Sequence, residues 1–322
     1  MGVGVVIIGR NEGERLRRCL ASASSSDAVV YVDSASTDGS AQWARHCGAD
    51  VIELDMSTPF TAARARNAGF KRLKEIAPYL NYVQFVDGDC ELEKDWLEHA
   101  VSFLSTHLDV GVVCGRRRER HPEKSIYNWL CAREWERPTG EVAACGGDAM
   151  MRVAAVEAVG GFRDGLIAGE EPELCLRLRI AGYRIWRLDL AMTLHDAAMT
   201  HFGQWWRRAV RGGYGLAQGA HLHGPSPERL WVWESRRAWW WGVWLPLTCL
   251  TVSLAFGPLG WAVWLIFPLQ VLRQIIRNHG TMKQRTLLAL FNLMARFPEA
   301  CGQIKFMGDR MLGRQPHLIE YK

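Results

Sequence analysis

Four short apolar runs in the first ninety residues break off at polar loops, and this repetition constrains the fold more than any other feature. They cover residues 3–8, 28–32, 50–54 and 82–86. Three of them end at Gly9-Arg10-Asn11-Glu12, at Asp33-Ser34-Ala35-Ser36-Thr37-Asp38-Gly39-Ser40 and at Asp87-Gly88-Asp89. Continuous apolar runs of this length read as strands buried on both faces. Helical periodicity fills the intervals. Leu16, Cys19 and Leu20 share one face, and residues 61–76 form a helical pattern carrying Arg64, Arg66 and Asn67. Strand–helix alternation predicts an α/β fold of parallel βαβ units, with a site at the C-terminal strand ends.

Asp87-Gly88-Asp89 delivers two carboxylates to that edge, with a glycine that lets a ligand approach the backbone. Hard oxygen ligands so placed suit a divalent cation that also binds phosphates. A D-x-D alone is a weak signal, and a plain turn is its bland reading. The agreement among the polar loops is the stronger evidence. Gly2, Gly4 and Gly9 do not make G-x-G-x-x-G, and no glycine-rich phosphate loop with its lysine occurs.

The chain has 322 residues, 23% charged, with a formal net charge of +5. No basic run is long enough to predict nucleic acid as a partner. Nine scattered cysteines without a C-x-x-C pair read as reduced cytosolic thiols. Residues 3–8 are too short for a signal peptide. Of fifteen tryptophans, ten lie after residue 200, so the composition turns membrane-like along the chain.

The first half resembles a family 2 inverting glycosyltransferase of the GT-A fold, the Rossmann-like nucleotide-diphospho-sugar transferase architecture. The matching residues are Ile8-Gly9-Arg10-Asn11-Glu12, Val32-Asp33 through Ser40, Ala65-Arg66-Asn67-Ala68-Gly69 and Phe85-Val86-Asp87-Gly88-Asp89. The family usually has a proline near the first motif, where Gly9 and Arg10 stand here. The resemblance implies that Asn11, Glu12, Asp33, Arg66 and Asp87 form the donor nucleotide pocket. Asp89, with Asp87, would bind Mn2+ or Mg2+. Helix capping by Asp33 and a surface ion pair for Arg66 are the structural alternatives.

Further along, residues 110–114 read as a strand followed by a basic loop, Gly115 to His121. That loop either holds an anionic acceptor or is a solvated charge run. Residues 126–135 read as helical. Residues 143–151, with Gly147 and Asp148, resemble the family loop under the donor sugar, although Asp148 equally suits capping of the next helix. In Gly169-Glu170-Glu171-Pro172, Glu171 occupies the position of the family's general base, with glutamate in place of the usual aspartate. Glu170 is its rival, and helix capping by the acids is the bland alternative. Residues 183–188 read as a final strand. His195 beyond it completes the metal set by resemblance, or is structural, and Asp196 is placed to orient it.

Residues 238–272 contain no charge. They read as two apolar pieces, 238–256 and 259–276, joined at Gly257-Pro258, each about 18–19 residues and near the minimum for crossing a bilayer. Cations at both ends predict a hairpin with cytoplasmic termini. A buried pair in a soluble domain and a re-entrant hairpin are the alternatives. The expected domains are 1–220 catalytic, 221–285 membrane hairpin, and 286–322 interfacial helix and tail. The expected activity is sugar transfer from a nucleotide-sugar to a lipid-linked or oligosaccharide acceptor in surface polysaccharide synthesis. The expected location is the cytoplasmic face of the bacterial inner membrane. A nucleotidyltransferase and a non-catalytic membrane scaffold are the competing readings.

Overall fold

A computed structural model describes residues 2–315 and 317–320. The chain divides into two compact units, the first made mainly of the residues up to Thr200 and the second mainly of those from His201 onward. The sequence had placed the catalytic boundary near residue 220.

The first unit runs β1 Val3–Gly9, α1 Glu14–Ser22, β2 Ala28–Asp33, α2 Ser40–His46, β3 Asp50–Glu53, α3 Ala62–Ile76 and β4 Tyr82–Asp87. It continues with β5 Cys90–Leu92, α4 Trp96–Thr106, β6 Val110–Glu119, α5 Ile126–Trp135 and β7 Gly140–Glu141. Last come β8 Ala149–Arg152, α6 Val153–Ala158, α7 Glu170–Ile180 and β9 Arg184–His195. One sheet takes the order β3-β2-β1-β4-β8-β6-β9-β5, with β7 also on β9. The pairs β3–β2, β2–β1 and β1–β4 are parallel, as the alternation predicts. Beyond β4 the sheet is mixed, because β8 runs antiparallel to both β4 and β6.

The apolar strand residues explain the core. Val3, Val5, Val6, Ile7, Val30, Val32, Val83, Phe85 and Val86 are fully buried between the helical layers. Glycine at 69 is required by close packing. A Cβ there would lie 2.4 Å from Val6 Cγ1 and 2.9 Å from Val32 Cγ2, so α3 rests directly on β1 and β2.

Two sequence expectations change here. The stretch 115–119 is not a loop but the second half of β6, where Arg116 and Arg118 face solvent and Arg117 and Glu119 face inward. Period-two alternation does this: in a strand, successive side chains take opposite faces. Likewise β9 extends to His195, well past residue 188.

The second unit is helical: α8 Phe202–His223, α9 Val232–Trp239, α10 Leu245–Phe256, α11 Ile266–Arg277, α12 Met282–Met294 and α13 Arg296–Met311. A π-helical turn, Trp240–Trp244, joins α9 to α10, and a 3-10 stretch, Gly257–Leu265, leads into α11. The run Val232–Arg277 is long and apolar enough to cross a membrane, and only 11% of its most apolar window is covered by protein. That exposure disfavours the buried soluble pair. The run reverses at Gly257, whose φ of 55° suits glycine. The returning arm packs on α10. Trp264 Nε1 donates to Ser253 Oγ at 3.0 Å, and a Cβ at Gly260 would lie 2.4 Å from Val252 O.

Helices α8 and α13 touch backbone to backbone. A Cβ at Gly213 would lie 2.0 Å from Glu299 O, and one at Gly302 would lie 2.0 Å from Val210 O. Backbone atoms cannot rotate away as a side chain can. Gly302→Ala is therefore expected to lose about 1–3 kcal/mol by overpacking. It will show as a lower unfolding midpoint of the detergent-solubilised protein, whereas Gly308→Ala, in open space, should not lower it.

Candidate active site

Strand β4 ends at Asp87, its parallel neighbour β1 ends beside it at Gly9, and β2, on the far side of β1, ends at Asp33. This places the Asn11, Asp33 and Asp87 loops on one sheet edge. The first two loops are locked together. Asn11 Oδ1 accepts from the Thr37 N–H at 2.7 Å, and the Asn11 N–H donates to Ser36 Oγ at 2.9 Å. Asp33 is buried and accepts from Tyr31 Oη at 2.9 Å and from the Ser36 N–H at 2.8 Å. Burial, then the Asp33 charge, pushes the Tyr31 phenol well above its usual range. The N-cap of α2 is Gly39, so Asp33 shapes the loop and does not cap that helix. Glu12 pairs with Arg15 at 2.8 Å and lies beneath Gly88, where a Cβ would meet its Cγ at 3.2 Å.

Arg66 connects sites distant in sequence. Its side chain is 2% exposed; Nη2 lies 2.7 Å from Asp87 Oδ1 and Nη1 lies 2.5 Å from Glu170 Oε1. Burial lowers the guanidinium pKa, but Asp87 and Glu170 more than offset it, so Arg66 stays charged. The surface ion-pair reading fails on this burial. The acids near residues 88 and 170 thus converge on one guanidinium.

Arg117 is a residue the sequence reading passed over as part of a basic loop. It is buried, 3.6 Å from Asp87 Oδ2 and 3.4 Å from Asp148 Oδ2, and its guanidinium carbon lies 4.5 Å from the centre of the Trp135 ring. Asp148 accepts from the Asp87 N–H at 3.1 Å and from Thr193 Oγ1 at 2.9 Å. It therefore ties β4 to β9, and the cap of α6 is Arg152 instead. Gly147 passes close by: a Cβ there would lie 3.0 Å from Arg66 Nη2 and 3.2 Å from Asp87 Oδ2.

His195 reaches the site because β9 pairs antiparallel with β5, with Cys90 opposite His195. Its Nε2 lies 3.5 Å from Asp89 Oδ2, and its Nδ1 lies 2.7 Å from Glu119 Oε2. A carboxylate only accepts, so Nδ1 carries a proton and donates to Glu119. In neutral His195 the Nε2 lone pair then faces a carboxylate oxygen, an arrangement a shared cation satisfies. The donor set fits a divalent ion, with Glu119 orienting the imidazole as carboxylates do behind metal-binding histidines. Glu119 was missed by sequence reasoning, and so was its fixed partner, the Ala197 N–H, 3.1 Å from Glu119 Oε1. Asp196 contacts Arg18 at 3.3 Å, not the imidazole.

Glu170 and Glu171 diverge. Glu170 faces Arg66. Glu171 is buried, accepts from the Cys145 N–H at 2.6 Å, and lies 2.8 Å and 2.9 Å from the thiols of Cys145 and Cys175. Neither acid closes the N-terminus of α7, whose cap is Gly169. Burial, opposed by hydrogen bonds from Cys145 and Cys175, raises the Glu171 pKa above the ordinary glutamate value.

The parallel half-sheet, the acid-lined edge of β4 and the mixed second half make up a GT-A fold. The mannosyltransferase PcManGT from Pyrobaculum calidifontis, solved with GDP-Man and Mn2+, has this fold. It superposes with a TM-score of 0.64 at 19% identity over 96% of this chain and 87% of its own. Residues 4–159 match the family described as Glycosyl transferase family 2. The succinoglycan biosynthesis protein ExoA of Rhizobium meliloti is 28% identical over 173 residues, 50% of this chain and 51% of its own. The glycosyltransferase AglE of Haloferax volcanii is 26% identical over 230 residues, 67% of this chain and 73% of its own. The chain thus spans about half the length of the ExoA relative.

Proposed function

We propose that this chain is an inverting glycosyltransferase acting at the cytoplasmic face of a bacterial inner membrane. It moves a sugar from a nucleotide-diphospho-sugar to a hydroxyl of a lipid-linked or oligosaccharide acceptor in surface polysaccharide synthesis. The observation that carries the reading is the Arg66 bridge between Asp87 and Glu170, which joins the D-x-D edge to the start of α7.

In this reading Asn11, Glu12, Asp33 and Asp87 hold the nucleotide, with Arg66 and Arg117 fixing the Asp87 carboxylate. Gly147 lets the donor approach the loop, while Asp148 keeps that loop in register. Asp89 and His195 hold Mn2+ or Mg2+, with Asp87 next to them. A cation bound there neutralises charge that develops on the leaving nucleoside diphosphate. Glu171 takes the proton of the acceptor hydroxyl as it attacks the anomeric carbon in a single displacement, and its raised pKa suits that task. Glu170, held by Arg66, is the rival base.

The acceptor reading is supported by the apolar run Val232–Arg277 and by a relative named for succinoglycan biosynthesis. Trp240, Trp244 and Trp261 are each more than half exposed along that run, as an interfacial aromatic belt requires. Purified enzyme assayed with matched lipid-linked and soluble acceptors should prefer the lipid-linked one. Equal turnover of both would remove the lipid assignment.

Two variants test the cation seat. Asp89→Asn should abolish metal-dependent transfer while leaving the fold intact by circular dichroism. Glu119→Gln should weaken Mn2+ binding about 10–100-fold, because the imidazole loses its orienting carboxylate. Calorimetric titration with Mn2+ reads this directly, and an unchanged affinity would separate His195 from the ion.

A further inference from the structure

A second set of ligand atoms converges away from the Asp89–His195 pair. Cys145 Sγ and Cys175 Sγ are 3.7 Å apart, and each lies within 2.9 Å of Glu171 Oε1. All three residues are buried, and their ligand atoms lie within 4.8 Å of one another. Glu171 and Cys175 stand one helical turn apart on α7, so a single helix face presents both. Cys145 comes from the loop before β8.

Two thiolates on one tetrahedral zinc ion, each at about 2.3 Å, sit roughly 3.8 Å apart. The observed sulfur separation already matches that edge. Two soft sulfurs with one carboxylate select a thiophilic ion over Mn2+ or Mg2+. Arg187 supplies an independent observation. It is buried on β9, Nη1 and Nη2 donate to the carbonyls of Gly115 and Cys145, and its Nε has no partner. A buried guanidinium that donates to two carbonyls needs compensating negative charge nearby. Two thiolates, one carboxylate and a divalent ion together carry a single negative charge, next to the Cys145 carbonyl that Arg187 holds.

We propose that Cys145, Glu171 and Cys175 form a second cation site, for Zn2+ or a similar thiophilic ion, distinct from the catalytic metal seat. Binding releases the two thiol protons to solvent and forms two metal–sulfur bonds and one metal–oxygen bond. No electron transfer is involved. Zn2+ there occupies the Glu171 carboxylate, so sugar transfer stops. That consequence rests on Glu171 being the base, whereas the site itself does not.

The test uses the full-length protein, reduced and in detergent, with Cd2+ as an optical probe. One equivalent should produce the ultraviolet thiolate-to-metal band and protect Cys145 and Cys175 from alkylation, read by peptide mass spectrometry. Zn2+ should displace the Cd2+, and excess Mn2+ should not. Cys145→Ser and Cys175→Ser should each remove the band. Cys47→Ser and Cys301→Ser, at exposed thiols, should keep it, and so should Asp89→Asn. No band in the wild type, or a band that survives Cys145→Ser/Cys175→Ser, overturns the site. Because the alkylation readout needs only the wild-type chain, a variant that fails to fold does not spoil the test. With Mn2+ saturating, one bound Zn2+ should cut transfer by about 100-fold or more. Zinc bound at the two thiols with transfer unchanged upholds the site and refutes Glu171 as the base.

Discussion

Replacing Arg66 by methionine is expected to cost about 3–5 kcal/mol of stability, the typical loss when one partner of a buried ion pair is removed. Methionine keeps most of the apolar stem, so the effect isolates the guanidinium. Two carboxylates then lose their shared counter-ion. They are not equally affected. Arg117 remains 3.6 Å from Asp87 Oδ2, whereas among the described residues Glu170 has its ion pair with Arg66. Glu170→Gln should therefore recover more of the loss in the Arg66→Met background than Asp87→Asn does, a coupling that a double-mutant cycle measures. Urea unfolding followed by tryptophan fluorescence gives the numbers. A loss below about 1 kcal/mol would put Arg66 with exposed ion pairs, and the bridge between the two acid clusters would carry no weight.

The parallel half of the sheet was legible because its strands are uniformly apolar. Val5, Ile7, Val30 and Val32 are buried whichever way they point, so no register had to be known. The edge was legible for the same reason, since Asp33 and Asp87 simply follow the last apolar residue. What escaped depended on non-local pairing. Arg117 and Glu119 lie in a run of charges that reads as solvated, and only β6 pairing with β9 reveals that alternate residues turn inward. The signal was present as a period of two in Arg116-Arg117-Arg118-Glu119, directly after an apolar strand. His195 was placed beyond a strand because Asp189 and the exposed Leu190 interrupt the apolar pattern, although β9 resumes its pairing with β6 at Ala191 after a register shift. Glu171 was recognised by its neighbours in sequence, but nothing there announces Cys145, 26 residues earlier, as its hydrogen-bond donor. Long-range contacts of this kind follow from topology and not from local pattern.

Glu171→Gln carries the other large expected effect, a fall in the transfer rate of about 100- to 10,000-fold with the fold preserved, the range for loss of a general base. Glutamine is nearly isosteric and keeps an acceptor oxygen for the Cys145 N–H, so packing does not account for the loss. The pH dependence makes the assignment sharper. Burial raises the folded-state pKa of Glu171, so a proton binds it more tightly in the native than in the unfolded chain. Native protein therefore holds more protons between the ordinary glutamate pKa and the raised value. In that window the stability contributed by the neutral carboxyl is lost as pH rises, and Glu171→Gln should flatten this decline. The rate runs the opposite way, because the base acts only when ionised: wild-type kcat should climb with pH through the raised pKa and then level. Loss of both the climb and the stability decline in Glu171→Gln would tie them to one carboxyl. Persistence of the climb in that variant, with its disappearance in Glu170→Gln, would transfer the role to the acid that faces Arg66.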